Sequence, residues 1–263
     1  MSDRTASVVP TAARFDDRVA NYAAHRPGYP PEMIAFLRGE LGLSPDSVVA
    51  DIGSGTGILA ESLLREGCRV FAVEPNAEMR EAAEGRLGGH PNIVSVVGTA
   101  EATTLADASV DFVTAAQAFH WFDAERARAE VRRILRPAGW AVVVWNNRRT
   151  DSTAFLRDYE QLLRRFGTDY AQVATTYGDE MSLRKFFASG YGVKRFDNFQ
   201  LFDFDGLKGR MLSASYVPLA GHPSHGPMLA ELRRVFDAHQ RDGRVRVEYD
   251  TDVYYGKPLA ISS

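Results

Sequence analysis

The chain has 263 residues, with 31 lysines and arginines against 34 aspartates and glutamates, so its formal net charge is −3. Hydrophobic residues make up 45% and charged residues 25%, which excludes a disordered chain, a collagen-like fibre and a coiled coil. The near balance of charge argues against a strong nucleic-acid binder, and no run approaches the roughly 20 apolar residues that cross a bilayer.

The compartment is predicted from cysteine usage and from the first residues of the chain. The single cysteine, Cys68, has no second thiol with which to form a disulfide, so we expect a reducing compartment. Residues 1–20 contain no apolar run of signal-peptide length. These features predict a cytoplasmic protein without a nucleic-acid or membrane partner, and they leave the oligomeric state open.

Strands and helices are predicted to alternate from residue 31 to residue 145. Pro31 suits a helix start, and Asn76 and Asp123 suit helix N-caps. Short apolar runs predict strands at 48–52, 69–73, 93–97, 111–116 and 140–145, and a helix is predicted at 58–66. Strands that alternate with helices form βαβ units and a parallel sheet, and burial of both its faces explains the continuous apolar runs.

The rest of the chain breaks this alternation. Residues 150–190 carry two helical patterns and are predicted to form a helical insertion above the sheet. Its aromatic side chains are expected to line an apolar pocket under a lid or to form the lid's own core; they are Phe155, Tyr159, Phe166, Phe186 and Phe187. A strand is predicted over 193–204 and a helix over 227–240. Residues 244–255 alternate between apolar and polar side chains, which predicts an antiparallel strand.

The clearest motif is the glycine-rich run Asp51-Ile52-Gly53-Ser54-Gly55-Thr56-Gly57, which joins the first of these strands to the next helix. Glycine is required where a turn needs a positive φ or where a ligand approaches the backbone closely. Glu74 follows the next strand, and the carboxyl ends of adjacent parallel strands face one crevice. A carboxylate at that point can accept hydrogen bonds from both hydroxyls of a ribose, so the motif predicts an adenosine-containing ligand.

Two adenosine ligands compete for this crevice. The dinucleotide fingerprint would place its third glycine at position 58, where the chain has Ile58. Asp51 would repel a pyrophosphate and attract an ammonium or a sulfonium, so charge favours S-adenosylmethionine over a nicotinamide dinucleotide. Three functions remain possible at this point: a small-molecule methyltransferase, a nicotinamide-dependent dehydrogenase and a non-catalytic cofactor-binding module. The alternative to all three is a glycine-rich turn that binds no ligand.

The chain resembles the class I S-adenosylmethionine-dependent methyltransferases, within them the methyltransferase type 11 group and a subgroup that includes the trans-aconitate methyltransferases. The resemblance covers most of residues 15–147 and extends loosely to the C-terminal strands. The segments that carry it are Arg26–Pro30, Asp51–Gly57, Glu74–Met79, Thr99–Glu101 and Gln117–Asp123.

The resemblance implies roles for particular residues. The implied cofactor-binding residues are Tyr22, Arg26, Asp51, Gly53, Ser54, Gly55, Gly57, Glu74, Pro75, Met79, Thr99, Ala100, Glu101 and Gln117. Among them, Glu74 would bind the ribose hydroxyls, Met79 would pack on the adenine, and the backbone amide of Ala100 would face the adenine ring. Asp51 and the glycines would face the methionine part of S-adenosylmethionine.

His120 is the candidate catalytic residue, because it follows the fourth predicted strand where the loop meets the crevice. The alternative is a structural histidine that holds Trp121 in place. Arg26 is expected either to pair with a substrate carboxylate or to lie in solvent. His222 and His225 have the H-x-x-H spacing of metal ligands, but no cysteine or nearby acid completes such a site, so no metal is predicted.

These features predict an α/β fold, a Rossmann-like doubly wound sheet of seven mostly parallel strands with one antiparallel strand near the C-terminus, plus a helical insertion or lid. We expect one methyltransferase domain over 1–263: an N-terminal arm or cap (1–30), a cofactor-binding core (31–149), the helical insertion (150–190) and the C-terminal part of the sheet (191–263). The expected reaction is in-line transfer of a methyl group to a small-molecule oxygen, a carboxylate or a hydroxyl, which depends on alignment and exclusion of water.

Overall fold

The computed structural model describes residues 25–168, 170, 180–214 and 216–258, and the labels below number the elements within them. Tyr22 therefore lies outside the described residues. The helices are α1 (Pro31–Leu41), α2 (Ile58–Arg65), α3 (Ala77–Leu87), α4 (Ala124–Ile134), α5 (Ala154–Phe166), α6 (Glu180–Phe187), α7 (Phe204–Leu212) and α8 (His225–His239). The strands are β1 (Val48–Ile52), β2 (Arg69–Val73), β3 (Ile93–Val96), β4 (Val110–Ala116), β5 (Leu135–Arg148), β6 (Gly192–Phe202) and β7 (Val245–Gly256).

The seven strands form one sheet in the order β3-β2-β1-β4-β5-β7-β6. The pairs β1–β2, β2–β3, β1–β4 and β4–β5 are parallel, whereas β7 runs antiparallel to both of its neighbours, β5 and β6. The mostly parallel sheet with one antiparallel strand is thus confirmed. The chain order reverses between β1 and β4, and the crevice beyond the carboxyl ends of such strands is where open α/β sheets bind ligands.

Helices cover both faces of the sheet because successive strand side chains point to opposite faces. Along β1, Val49 packs in a core with α1 and α2, whereas Ala50 and Ile52 pack in a second core with α4 and α6. The first core contains Met33 of α1, which is fully buried. This doubly covered arrangement confirms the predicted Rossmann-like fold. Among the described helices, none is long and apolar enough to cross a membrane.

The two helices of the 150–190 segment join different cores. Phe155 and Tyr159 of α5 pack in a third core, with α7, α8 and β7. Phe186 and Phe187 of α6 pack in the second core, against α4 and the sheet. The prediction that these aromatic residues line an apolar substrate pocket is therefore wrong for these four side chains, since each is 6% exposed or less and serves the interior.

The main departures from the predicted boundaries lie in β5 and after β6. Strand β5 runs from Leu135 to Arg148, beyond 140–145 at both ends, and its first residue already pairs with Val110 of β4. Strand β6 ends at Phe202 rather than at residue 204. Helix α7 follows it at once, because the side chain of Asp203 caps the helix by accepting a hydrogen bond from Gly206 N.

Candidate active site

A cavity of about 550 Å³ lies at the carboxyl ends of β1, β2, β4 and β5. Its walls contain twelve of the predicted site residues: Arg26, Asp51, Gly53, Ser54, Gly55, Glu74, Pro75, Met79, Thr99, Ala100, Glu101 and Gln117. Gly57 and His120 do not line it. The volume lies within the range of cavities that hold cofactors and drug-sized ligands.

The glycine loop turns sharply because three of its residues adopt positive φ angles. Gly53 has a φ of 65°, and a Cβ there would lie 2.5 Å from the Cβ of Ala118, so this position admits no side chain. Its amide donates to the Val73 carbonyl oxygen at 2.8 Å, which ties the loop to the end of β2. Gly57 also has a positive φ of 79°, but a Cβ there would meet Leu87 of α3. Gly57 therefore packs behind the loop, and its predicted place in the cofactor site stays a prediction.

Glu74 is held by two backbone amides and joins the glycine loop to the start of α3. Its Oε2 accepts from Gly55 N at 2.9 Å and its Oε1 accepts from Asn76 N at 2.9 Å. Burial raises the pKa of the Glu74 carboxyl, although both amides oppose that shift. Each carboxylate oxygen retains a second lone pair, so the group can still accept hydrogen bonds from a ligand in the cavity.

Asp51 is a buried acid at the end of β1. It is 1% exposed, and its Oδ1 accepts from Thr114 Oγ1 at 2.7 Å. Within the described part of the chain it forms no ion pair. Burial raises its pKa from 3.8 to about 7, and the nearby charge of Glu74 adds to the shift, against the hydrogen bond from Thr114. A positively charged ligand beside Asp51 would favour its ionised form.

The far wall of this half of the cavity comes from α3 and from residues 99–101. Met79 lies in the first turn of α3, 6% exposed, and its amide donates to the side chain of the N-cap Asn76 at 2.9 Å. Thr99 and Ala102 exchange backbone hydrogen bonds and close a tight turn around the buried Ala100. Glu101 Oε1 accepts from Asp123 N at 2.9 Å, which fixes this turn to the start of α4.

Residues 25–30 form the opposite wall. Asn198 of β6 and Asn146 of β5 both donate to the Gly28 carbonyl oxygen, at 2.9 and 3.1 Å. Arg26 is half-buried, and its Nη2 donates to the carbonyl oxygen of Ser213 at the C-terminus of α7, at 3.2 Å. A cation is favourable at that helix end. The interpretation of Arg26 as a solvated residue is therefore wrong, and its guanidinium lines the cavity.

The loop after β4 places Gln117 in the cavity wall, whereas His120 does not line the cavity. Gln117 lines the cavity with a φ of 59°, a left-handed conformation that is uncommon outside glycine. The His120 ring packs against Trp121, with centroids 4.6 Å apart, and Trp121 lines the cavity instead. Burial and the charge of Arg26 lower the pKa of His120 to about 4, so the ring is neutral at neutral pH.

The predicted site residues left out several polar residues of the cavity wall, among them Asn146 and Arg210. Asn146 lies at the end of β5, beyond the predicted strand. Arg210 lies in the last turn of α7, a helix that was not predicted. The signal for that helix was available: Asp203 is a good N-cap, and Leu207 and Met211 follow at helical spacing.

Comparison with known proteins identifies the class. Residues 50–143 match the family model of a methyltransferase domain. This match, the sheet order and the acids at the ends of β1 and β2 show that the chain carries a class I S-adenosylmethionine-dependent methyltransferase domain. The finer resemblance to the trans-aconitate methyltransferases stays a prediction.

The chain is similar to curated and structurally characterised methyltransferases. It is 40% identical to an uncharacterized methyltransferase of Mycobacterium tuberculosis over 153 residues, which is 58% of this chain and 60% of that protein. It is 33% identical to one of Schizosaccharomyces pombe over 152 residues, 57% of this chain and 59% of that protein. The chain thus spans about 60% of the length of these relatives. A provisionally assigned type II methyltransferase from Anaeromyxobacter dehalogenans has a similar structure, with a TM-score of 0.67, 26% identity, and coverage of 90% of this chain and 99% of that one.

S-adenosylmethionine is the cofactor of this class, and the residues present fit it. Asp51, a buried acid in the cavity wall, would offer a negative charge to the cationic amino-acid end of a bound cofactor. Thr56 Oγ1 is buried in the cavity wall and has no hydrogen-bond partner among the described residues, so it provides a further polar contact for a ligand. The family match decides between the two nucleotides in favour of S-adenosylmethionine.

Proposed function

We propose that the protein transfers a methyl group from S-adenosylmethionine to an oxygen of a small molecule. When bound, the cofactor supplies an electrophilic methyl carbon: the acceptor oxygen forms a bond to it while the carbon–sulfur bond breaks, and that electron pair stays on sulfur. The main support is the cavity that combines Asp51 and Glu74 at one side with further polar side chains beyond β4.

The chain's own residues would bind and orient both partners. Asp51 would receive the positive charge of the amino-acid end, and Glu74, fixed by two amides, would receive the ribose hydroxyls. Met79 would cover the adenine. Gln117 stands between these groups and the wall of residues 25–30, where an acceptor would face the methyl group, and Trp121 would help to exclude water.

Among oxygen acceptors the cavity favours a carboxylate, because Glu101 is tied to the start of α4 by the hydrogen bond from Asp123 N and the other titratable groups are unsuitable as a general base. His120 does not line the cavity, and its pKa of about 4 makes it a weak base. Asp51 and Glu74 would be engaged by the cofactor. A carboxylate acceptor is already ionised at neutral pH and needs no base, whereas a hydroxyl acceptor usually requires one.

Calorimetry with S-adenosylmethionine and S-adenosylhomocysteine tests the cofactor assignment. We expect both to bind the parent protein and neither to bind Asp51→Ala, whereas an exposed control, Asp46→Ala, should bind like the parent. No binding by the parent would refute the proposed function. Binding without methyl transfer to any acceptor of a broad panel would favour a non-catalytic cofactor-binding module.

A radiolabelled methyl-transfer screen tests the acceptor atom. Methyl esters release methanol in mild base, whereas methyl ethers, methylamines and methylated carbons do not. We expect base-labile, volatile label from acid acceptors, or stable ether label from hydroxyl acceptors. Label found only on nitrogen or carbon would contradict the choice of oxygen.

The role of His120 is tested separately by His120→Ala. Loss of turnover with unchanged S-adenosylhomocysteine affinity would support a catalytic role, and unchanged turnover would make the residue a support for Trp121. The small-molecule acceptor, the cytoplasmic location and the lack of a nucleic-acid partner stay predictions.

A further inference from the structure

Arg210 presents a positively charged group to the side of the cavity away from Asp51. It lies in the last turn of α7 and lines the cavity wall. Its Nε donates to Tyr249 Oη at 3.2 Å, and the Tyr249 hydroxyl in turn donates to Gln200 Oε1 at 2.9 Å. Because Tyr249 is fully buried, this chain of hydrogen bonds fixes the direction of the guanidinium.

Arg210 lacks a counter-ion in the part of the chain that the structure describes. The titratable side chains that act most strongly on its guanidinium are three tyrosines, Tyr159, Tyr216 and Tyr249. The neighbouring Arg148 differs, since its Nη2 forms an ion pair with Glu160 at 2.6 Å while its guanidinium also packs over the Tyr159 ring. Glu160 is thus paired with Arg148 and not with Arg210. The Arg210 guanidinium stays protonated, and so positively charged, at any ordinary pH.

A guanidinium among tyrosines without a carboxylate is unfavourable in the absence of an anion. Removing a charged group from water is costly unless a partner of opposite charge and further hydrogen bonds replace the water. Only the Nε group of Arg210 has an acceptor among the described residues, so its terminal Nη groups are available to a ligand in the cavity. The planar fork of those groups matches a carboxylate.

The cavity therefore has an acidic side and a basic side. Asp51 and Glu74 stand at the ends of β1 and β2, whereas Arg210 is held by Tyr249 of β7. In the sheet order, β7 lies three strands beyond β1, which corresponds to about 14 Å at the usual strand spacing. One side would receive the cationic cofactor, and the other would receive a ligand of opposite charge.

We propose that Arg210 anchors a carboxylate of the methyl acceptor, so that the acceptor is an organic acid. This inference rests on the proposed function, because it assigns the acceptor half of the same cavity. Arg210 then acts as a specificity residue that selects an ionised acid over a neutral molecule of the same shape. Its contact with Tyr249 orients the guanidinium and does not by itself occupy the cavity.

The test uses protein saturated with S-adenosylhomocysteine and a panel of aliphatic and aromatic carboxylic acids, each paired with its primary amide. Binding is measured by calorimetry and by thermal shift for the parent, Arg210→Gln and Arg210→Lys. Arg132→Gln is the control, because Arg132 is an exposed arginine on α4 outside the cavity and its replacement removes the same charge.

We expect acids to bind the parent and Arg132→Gln while their amides do not. Arg210→Gln should weaken acid binding about 30-fold or more, and Arg210→Lys should restore part of it, because losing one partner of a desolvated charge pair is expensive. S-adenosylhomocysteine affinity should stay within about twofold of the parent in every variant, since the two ligands occupy different sides of the cavity.

Two results separate failure of this inference from failure of the proposed function. Normal S-adenosylhomocysteine binding with equal affinity for acids and amides, or with undiminished acid binding by Arg210→Gln, would overturn the anchor and make Arg210 a structural partner of Tyr249. Failure of the parent to bind S-adenosylhomocysteine would refute the proposed function itself. If Arg210→Gln folds poorly, the acid–amide comparison on the parent still tests the choice of an acid acceptor, and Arg210→Lys tests the anchor: acid binding by Arg210→Lys equal to that of the parent would overturn it.

Discussion

Replacing Asp51 with asparagine should stabilise the ligand-free fold and abolish cofactor binding. Raising the pKa of this buried carboxyl from 3.8 to about 7 makes its ionised form about 4 kcal/mol less favourable in the folded chain than in the unfolded one. Because the folded state holds the proton more tightly, the parent loses stability as pH rises from about 4 to about 7 and then levels off. Asparagine has no proton to lose, and its oxygen can still accept from Thr114 Oγ1.

We expect the difference in unfolding free energy between Asp51→Asn and the parent to change with pH. The stability advantage of Asp51→Asn over the parent should grow by about 2 to 3 kcal/mol between about pH 5 and about pH 8. Urea unfolding at both pH values, without cofactor, measures it. The exposed Asp46→Asn variant reports the general effect of removing one carboxylate.

Two results would refute this reasoning. If the gap between Asp51→Asn and the parent changes with pH no more than the gap for Asp46→Asn, burial does not penalise the ionised form of Asp51. If Asp51→Asn binds S-adenosylhomocysteine with the affinity of the parent, the carboxylate does not receive the positive charge of the cofactor. Greater stability of Asp51→Asn together with loss of S-adenosylhomocysteine binding would show that the Asp51 carboxylate destabilises the free protein and serves ligand binding.

Three further predictions concern the same loop. Affinity for S-adenosylhomocysteine should be about tenfold weaker at about pH 6 than at about pH 8, because only the ionised form of Asp51, with its pKa of about 7, attracts an ammonium; a flat calorimetric profile would contradict this. Glu74→Gln places an amide group where Gly55 N needs an acceptor, so we expect urea unfolding to show a stability loss of about 1–3 kcal/mol. Cofactor binding should be at least about tenfold weaker. No change in either quantity would argue against Glu74 as the residue that holds the loop and binds the ribose. Gly53→Ala puts a Cβ 2.5 Å from that of Ala118 at a residue with a positive φ, so it should lower stability by about 1–3 kcal/mol. The double variant with Ala118→Gly should recover part of this loss. The absence of recovery would disprove the clash.

The half of the cavity that we propose for the cofactor was predictable from sequence because its units are local. Each strand and its following helix are adjacent in the chain, and their signals agree: Asn76 caps α3 and Asp123 caps α4 with the expected side-chain hydrogen bonds. The parallel arrangement then brings Glu74 to the loop that follows β1. No contact between distant parts of the chain is needed to reach that conclusion.

The half that we propose for the acceptor was not predictable, because its residues acquire their surroundings from distant segments. Arg210 points to the cavity through Tyr249, 39 residues further along the chain, and the wall of residues 25–30 is fixed by Asn146 and Asn198. The surroundings of His120 were not predictable either, and its catalytic role stays a prediction. Its position after β4 indicated the crevice correctly, but a single 3-10 turn at Phe119–Trp121 leaves Trp121, and not His120, in the cavity wall.

Three unfavourable local features meet in one cavity. Among the described residues, Asp51 is an acid without a cation and Arg210 is a cation without an acid, and Gln117 in the same cavity wall has a left-handed backbone. Such features persist at sites where a ligand offsets them and are uncommon elsewhere in a folded chain. A cationic cofactor and an anionic acceptor would offset the two charges from opposite sides. Because each ligand binds only the folded state, we expect the two together to stabilise the fold more than either alone.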